Sequence, residues 1–246
     1  MTSNEQAANP VALVTGASRG LGSVLARFLS GEGFDLILNA RGRESLDASA
    51  KELTRGTGRV QTIPGDVSQP ATQFALKETV DRWGRLDLLF NNASELGPSP
   101  LPRLSDFRAE EMERIFRVNV LAPLTLTQRL LPALIAQRGQ VVNISSDAAV
   151  GGYPGWGGYG ASKAALDLVS LTLAHELKDL GVSVVSVDPG DMRTTMHQSA
   201  YPGEDISDRP SPEVTLPFWA WLLNQDPART SGHRFRAQAD RWEVPE

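Results

Sequence analysis

An α/β fold built on a doubly wound parallel sheet, in a single domain, is what this sequence predicts. Three observations carry the prediction. Short apolar runs alternate with longer amphipathic stretches along most of the chain, the pattern of strands covered on both faces by helices. The 246 residues fit one such domain and contain no repeat and no linker. A glycine cluster falls between the first apolar run and the first amphipathic stretch, where open α/β sheets bind anionic ligands.

The elements follow in order. Residues 11–15, Val-Ala-Leu-Val-Thr, form a short continuous apolar run and predict a buried strand. Residues 21–32 space Leu21, Val24, Leu25, Phe28 and Leu29 at helical intervals. Strands are then expected at 34–39, 60–63, 86–90, 140–145 and 182–187, with helices at 43–55, 69–83, 106–137 and 158–180. Pro123 should break or kink the helix of 106–137. Residues 191–215 are rich in Pro, Ser, Asp and Gly, begin directly after a strand, and are expected to be irregular and to act as a substrate lid. Residues 1–9 are expected to be a frayed polar leader, leaving 10–246 as the single folded domain.

Composition narrows the functional classes. The net charge is -5 and no Lys/Arg-rich run occurs, which argues against nucleic acid as a partner. No cysteine is present, so disulfides and thiolate metal sites are excluded. The three histidines lie far apart without ligand spacing, which argues against a metal. Of these, only His197 falls in the expected lid. The N-terminus has no basic start or apolar core of a signal, and no single apolar run reaches membrane-spanning length. A cytoplasmic protein is expected.

Residues 15–22 read Thr-Gly-Ala-Ser-Arg-Gly-Leu-Gly. Gly16 permits a sharp turn, Gly20 lets main-chain N–H groups approach a pyrophosphate, and Gly22 permits close packing of helix on strand. The spacing G-x-x-x-G-x-G differs from the commoner G-x-G-x-x-G and from the lysine-bearing P-loop. Glycines also cluster in plain turns, but this cluster sits at the first strand–helix junction. A Rossmann-type dinucleotide cradle is therefore expected.

Tyr159 and Lys163 open the helix of 158–180, four residues apart and so on one face. A phenol ordinarily ionises near pH 10, and a neighbouring ammonium favours the phenolate and brings proton exchange closer to neutrality. Ser145 and Ser146 end the strand before it, where a hydroxyl can meet a substrate oxygen. A surface pair, or a serine serving only its loop, remains the plain alternative for each.

Taken together, these features resemble the classical short-chain dehydrogenase/reductase family over nearly the whole chain. The matching pieces are Gly16 to Gly22, Asp66-Val67, Asn91-Asn92-Ala93, Asn119, Ser146 thirteen residues before Tyr159, Lys163, and Pro189-Gly190 with Thr194. The resemblance implies hydride transfer between a nicotinamide dinucleotide and a carbonyl or alcohol. Tyr159 would be the general acid or base, and Ser146 would polarise the carbonyl. Lys163 would hold the nicotinamide ribose and lower the Tyr159 pKa, and Asn119 would hold a water leading from Lys163 to solvent. Gly16, Ser18, Arg19, Gly20, Leu21 and Gly22 would cradle the cofactor. Asp66 and Val67 would meet the adenine, Asn92 and Ala93 the adenosine side, and Pro189, Gly190 and Thr194 the nicotinamide end. Ser146 is preferred to Ser145 because neighbours at a strand end point to opposite sides.

Three departures stand out. Ser94 replaces the glycine usual after Asn-Asn-Ala. Residues 231–240 offer a last strand without the usual Asp-Gly-Gly ending, and residues 241–246 match nothing. NADP(H) is favoured over NAD(H), because the second strand ends in Arg41 with no acid beside it. Arg41 and Arg19 can pair with a 2′-phosphate. Tyr153, Trp156, Met192 and Met196 are expected to make the substrate pocket apolar. The resemblance also implies a homodimer or homotetramer, with Leu166, Leu168, Val169 and Leu173 as candidate contact residues. A non-catalytic dinucleotide-binding sensor or scaffold is the rival reading, and the intact Asn119, Ser146, Tyr159 and Lys163 set argues against it.

Overall fold

The computed structural model describes residues 8–53 and 58–244. The expected leader lies outside the described residues up to position 7. Ala8 and Asn9 are tied down, since Asn9 Nδ2 donates to Asp35 and Arg85 donates to the Ala8 carbonyl.

β1 (Val11–Thr15), α1 (Gly20–Gly31), β2 (Asp35–Ala40), α2 (Arg43–Leu53), β3 (Val60–Pro64), α3 (Pro70–Trp83) and β4 (Leu88–Asn91) make the first half. The second half begins with α4 (Ala109–Phe116), α5 (Ala122–Gln137), β5 (Gln140–Ile144), α6 (Ala148–Gly151), α7 (Gly157–Glu176) and β6 (Ser183–Asp188). It ends with α8 (Thr195–Ala200), α9 (Leu216–Leu223), α10 (Pro227–Thr230) and β7 (Arg234–Arg236). The seven strands form one parallel sheet in the order β3-β2-β1-β4-β5-β6-β7. This is the doubly wound, Rossmann-type sheet. Its order reverses between β1 and β4, and ligands of such sheets bind in the crevice there.

Alternation along β1 shows why both faces are covered. Ala12 and Val14 pack with Leu21, Leu25 and Leu46 of α1 and α2, while Val11 and Leu13 pack with Leu76, Leu126 and Leu130 of α3 and α5. Each strand residue loses its apolar surface to one layer or the other, at about 25 cal/mol per Å² removed from water.

Pro123 acts as expected, with a specific geometry. It has no N–H to offer the Asn119 carbonyl four residues back. The helical ladder widens into a π turn over Arg117–Leu121, where Ala122 N donates to the Arg117 carbonyl. Joined through this turn, Ala109–Gln137 form one helix long and apolar enough by composition to cross a membrane. Leu126, Leu130 and Leu134 of its apolar side pack on the sheet.

The structure corrects two expectations. Residues 191–215 are organised: they contain α8, Arg193 N donates to the Pro210 carbonyl at 2.7 Å, and Arg209 pairs with Asp191 at 3.5 Å. Leu166 is buried in the core, whereas Leu168 is exposed with Leu171 and Leu121. Beyond β7, Trp242 meets Phe218 edge-on and Trp221 at a tilt, and its Nε1 donates to the Arg236 carbonyl.

Candidate active site

The glycine turn comes first, because its shape precedes any side-chain chemistry. Gly16 has φ 68°, a left-handed value that Cβ-bearing residues avoid. At Gly22 the requirement is space, since a Cβ there would overlap the Gly16 carbonyl oxygen. Asn92 braces the same turn. Its Nδ2 donates to the Thr15 carbonyl at 2.9 Å and to the Gly16 carbonyl at 3.3 Å. Thr15 Oγ1 answers by accepting from the N–H groups of Asn92 and Ala93, both at 3.0 Å. The Asn92 amide N–H groups are thus spent on the protein itself, where they brace the turn.

A cleft of about 1080 Å³ opens above this turn at the strand ends. The turn residues Gly16, Ser18, Arg19, Gly20, Leu21 and Gly22 line it. Arg41, Asp66 and Val67 stand on one side, Asn92 and Ala93 in the middle, and Pro189, Gly190 and Thr194 towards the far end. Ser146, Tyr159 and Lys163 complete the wall. Such a backbone cradle at a helix N-terminus fits the pyrophosphate of a dinucleotide. Arg41 is largely exposed, and its guanidinium lies 3.5 Å from Glu95, which also pairs with Arg114. Asp66 Oδ1 accepts from Ser68 N.

At the far end, Tyr159 is buried in the cleft wall that Ser146 and Ser94 also line. Burial pushes the phenol well above its ordinary pKa, and the hydroxyls of those two serines oppose the shift. Lys163 is only 1% exposed, and burial lowers its pKa to about 8, with Asp167 opposing. Its Nζ donates to the Ile144 carbonyl at 2.7 Å and lies 5.5 Å from the centre of the Tyr159 ring. The expected lowering of the Tyr159 pKa by Lys163 is therefore not what governs the protein by itself: desolvation of both groups dominates.

Asn119 does not reach the cleft. Its Oδ1 accepts from Ser94 Oγ at 3.1 Å and from Glu95 N at 2.7 Å. Its Nδ2 donates to the Glu95 carbonyl at 2.8 Å and to Ser162 Oγ at 2.9 Å. All four hydrogen-bonding positions of the amide are occupied, so a water expected on Asn119 has only main-chain groups to use. Ser146 Oγ donates to Asp147 at 3.1 Å and accepts from Ala148 N at 3.2 Å. Ser145 also borders the cleft but is 1% exposed, and its hydroxyl has no partner.

Several participants escape a reading of the sequence alone. Arg234 of β7 donates to the Ser146 carbonyl at 2.7 Å and to Asp167 at 2.9 Å, and lies 3.5 Å from Asp188. The last strand thereby holds the end of β5. Ser162 links Asn119 to the Tyr159 carbonyl, to which its Oγ donates at 2.6 Å. No spacing signals Arg234, whereas the polar Ser162 inside a buried helix face was a visible sign.

The wall of the cleft beyond Tyr159 is aromatic and apolar. Tyr153, Trp156, Met192, Met196 and Tyr201 line it. Trp156 meets the rings of both Tyr159 and Tyr201 edge-on or tilted. His197 packs on Tyr201, and its Nε2 is buried without a partner. Ser99 Oγ donates to the Ser199 carbonyl at 2.7 Å, joining the two rims of the cleft.

Comparison with known proteins agrees with this geometry. The family model described as short chain dehydrogenase matches residues 10–205. The chain is 33% identical to the uncharacterized oxidoreductase YciK of Escherichia coli K12, covering 94% of this chain and 92% of that protein. A short chain dehydrogenase structure from Pseudomonas syringae superposes with a TM-score of 0.86 at 33% identity, over 93% of this chain and 94% of the other. One from Shigella flexneri, complexed with NADP, gives a TM-score of 0.83 at 31% identity, over 94% and 97%. Matched in sequence and in fold over nearly all of its length, the chain belongs to the short-chain dehydrogenase/reductase family of oxidoreductases.

Proposed function

We propose that this oxidoreductase uses NADP(H) to reduce a small-molecule carbonyl compound or, in reverse, to oxidise the alcohol. The observation that carries this reading is the convergence of Ser146, Tyr159 and Lys163 on one wall of the cleft that the glycine turn opens. The Shigella flexneri relative complexed with NADP supports the choice of cofactor.

The bound nicotinamide would supply or take the hydride at the substrate carbon. Every other requirement falls on the chain. The first turn of α1 presents main-chain N–H groups to the pyrophosphate. Arg41 and Arg19 offer the 2′-phosphate charge-assisted contacts, with Arg41 exchanging Glu95 for it. Ser146 donates to the substrate oxygen, and Tyr159 protonates it as charge develops, a small oxyanion hole in a dry site. Lys163 holds the nicotinamide ribose and, with its ammonium beside the phenol, eases ionisation of Tyr159 against the opposing effect of burial. Asn119 acts through others, fixing Ser94, Glu95 and Ser162 around the proton donor. The segment 191–215 closes the substrate end as a lid, and its Met and aromatic residues favour an apolar substrate body. Exposed Leu168, Leu171 and Leu121 on α7 and the π turn supply an apolar face for a homodimer or homotetramer. The cytoplasm is the proposed location.

Initial rates with NADPH and NADH on one ketone test the cofactor assignment. NADPH should give the larger kcat/KM, and rising salt should weaken it preferentially, because the added contact is ionic and partly exposed. A preference for NADH contradicts the role of Arg41 and Arg19.

A further inference from the structure

The main-chain ladder between β5 and β6 runs out beside Ser146. Ser145 N donates to the Val187 carbonyl at 2.7 Å, and Pro189, two residues further along, has no N–H with which to carry the ladder on. Ser146 and the Pro189–Gly190 segment both line the cleft, so their relative placement falls to side chains. Arg234 supplies the link from a third strand. It lies on β7 in register with Ser186 of β6, and it reaches over β6 to the end of β5, about 10 Å across two strand spacings. Its Nη2 donates to the Ser146 carbonyl at 2.7 Å and lies 3.5 Å from Asp188 Oδ2. Its Nε donates to Asp167 on α7 at 2.9 Å, which anchors the fork. The other oxygen of Asp188 accepts from Gly190 N at 3.0 Å. A continuous chain of contacts thus runs from Ser146 through Arg234 and Asp188 to Gly190.

We propose that Arg234 is a positioning residue for carbonyl reduction, its guanidinium fixing Ser146 relative to the Pro189–Gly190 segment at the nicotinamide end. The proposal rests on the functional reading above. Arg234 is not among the residues that line the cleft, so it acts through the Ser146 main chain and through Asp188. A planar guanidinium sets the directions of its bonds, whereas an ammonium is a point charge on a flexible stem. The Asp188 side chain is 4% exposed and that of Arg234 27%, so water competes weakly for these bonds. Hydride transfer is sensitive to such placement, since a shift of about 1 Å can cost about a hundredfold in rate.

Arg234→Met and Arg234→Lys, each made alone and with Ser146→Ala, test the idea in ketone reduction with NADPH. Arg234→Met should lower kcat about tenfold to a hundredfold and keep KM for NADPH within a few fold. It should also lower Tm, because Asp167 and Asp188 lose their partner. Arg234→Lys keeps the charge without the fork, so it should regain most of the Tm and little of the kcat; if Arg234→Met fails to fold, this variant carries the test. With Ser146→Ala in place, the group being positioned is gone, and either change at Arg234 should cost at most about threefold more. A residue serving stability alone would lower kcat by the same factor in both backgrounds, or recover kcat together with Tm in Arg234→Lys. Either result overturns the proposal. If the unaltered protein reduces no ketone, it is the functional reading that fails. Crystal structures of the unaltered protein and Arg234→Lys then decide. A Ser146 carbonyl displaced against Gly190 by about 1 Å or more supports the positioning role, and an unmoved one overturns it.

Discussion

The two ends of the cleft are built from different materials. At the glycine-turn end the shape is main chain: a left-handed Gly16, a Gly22 without room for one more carbon, and Asn92 and Thr15 hydrogen-bonded to backbone. At the other end, beyond Tyr159, the shape is side chain: Trp156, Met196 and Tyr201 pack together, His197 lies on Tyr201, and Met192 lines the same wall. A backbone site tolerates almost no change and suits a ligand common to a whole family. A side-chain site can be repacked one residue at a time without disturbing the sheet, and suits a ligand that differs between members. Tyr159, Ser146 and Lys163 stand where the two meet.

The sharpest break of this contrast is Gly22→Val. The added side chain meets the Gly16 carbonyl, which must move, at a cost of about 3 kcal/mol, the upper end of ordinary overpacking. Loss of NADP(H) binding and a sharply lower Tm are expected, by calorimetry and thermal melting. Normal cofactor binding would refute the backbone description.

Lys163→Met comes next, and it separates function from stability. Turnover should fall about a hundredfold or more. The lysine is buried and its pKa in the folded protein, about 8, lies below the usual 10.5. Between those values the unfolded chain binds the extra proton, so stability rises with pH through that window. Below about pH 8 the buried charge is a standing penalty. The variant without cofactor should therefore melt higher than the unaltered protein at pH 7, and the gap should narrow as pH rises. A lower Tm at pH 7 would contradict this.

Arg41→Asp should cost NADPH about tenfold to a hundredfold in kcat/KM and leave NADH within a few fold, since only the 2′-phosphate contact is lost. Equal losses would mean that Arg41 supports the fold instead. The mildest change is Met196→Ala. It should alter KM among ketones of different bulk by a few fold, leave KM for NADPH alone, and shift stability by about 1 kcal/mol or less, as expected at a partly exposed site. A large fall in NADPH binding would show that the two ends are not independent.

The same contrast explains how much was legible in the sequence. The glycine turn, the strand–helix alternation and the Tyr159–Lys163 pair are local patterns, and all of them fold as their spacing predicts. The hydrogen bonds from Ser94 to Asn119 and from Asn119 to Ser162 join three separate segments, and no local pattern encodes them. Arg234 reaches Ser146 from 88 residues away. Helix α9, Leu-Pro-Phe-Trp-Ala-Trp-Leu-Leu, is illegible for another reason. It is apolar on nearly every side and only 8 residues long, so it has no periodic signal to distinguish it from a strand or loop. Trp242 gains its meaning only from the α9 rings it covers.

The most direct test of the whole scheme is NADPH oxidation, followed at 340 nm, over a panel of ketones and aldehydes with the unaltered protein and Tyr159→Phe. The unaltered protein should reduce at least one apolar ketone. Tyr159→Phe should lose at least about a hundredfold in kcat while KM for NADPH stays within a few fold, because the ring remains and only the proton donor is gone. A Tyr159→Phe enzyme with near-normal kcat would contradict the assignment of Tyr159 as the proton donor.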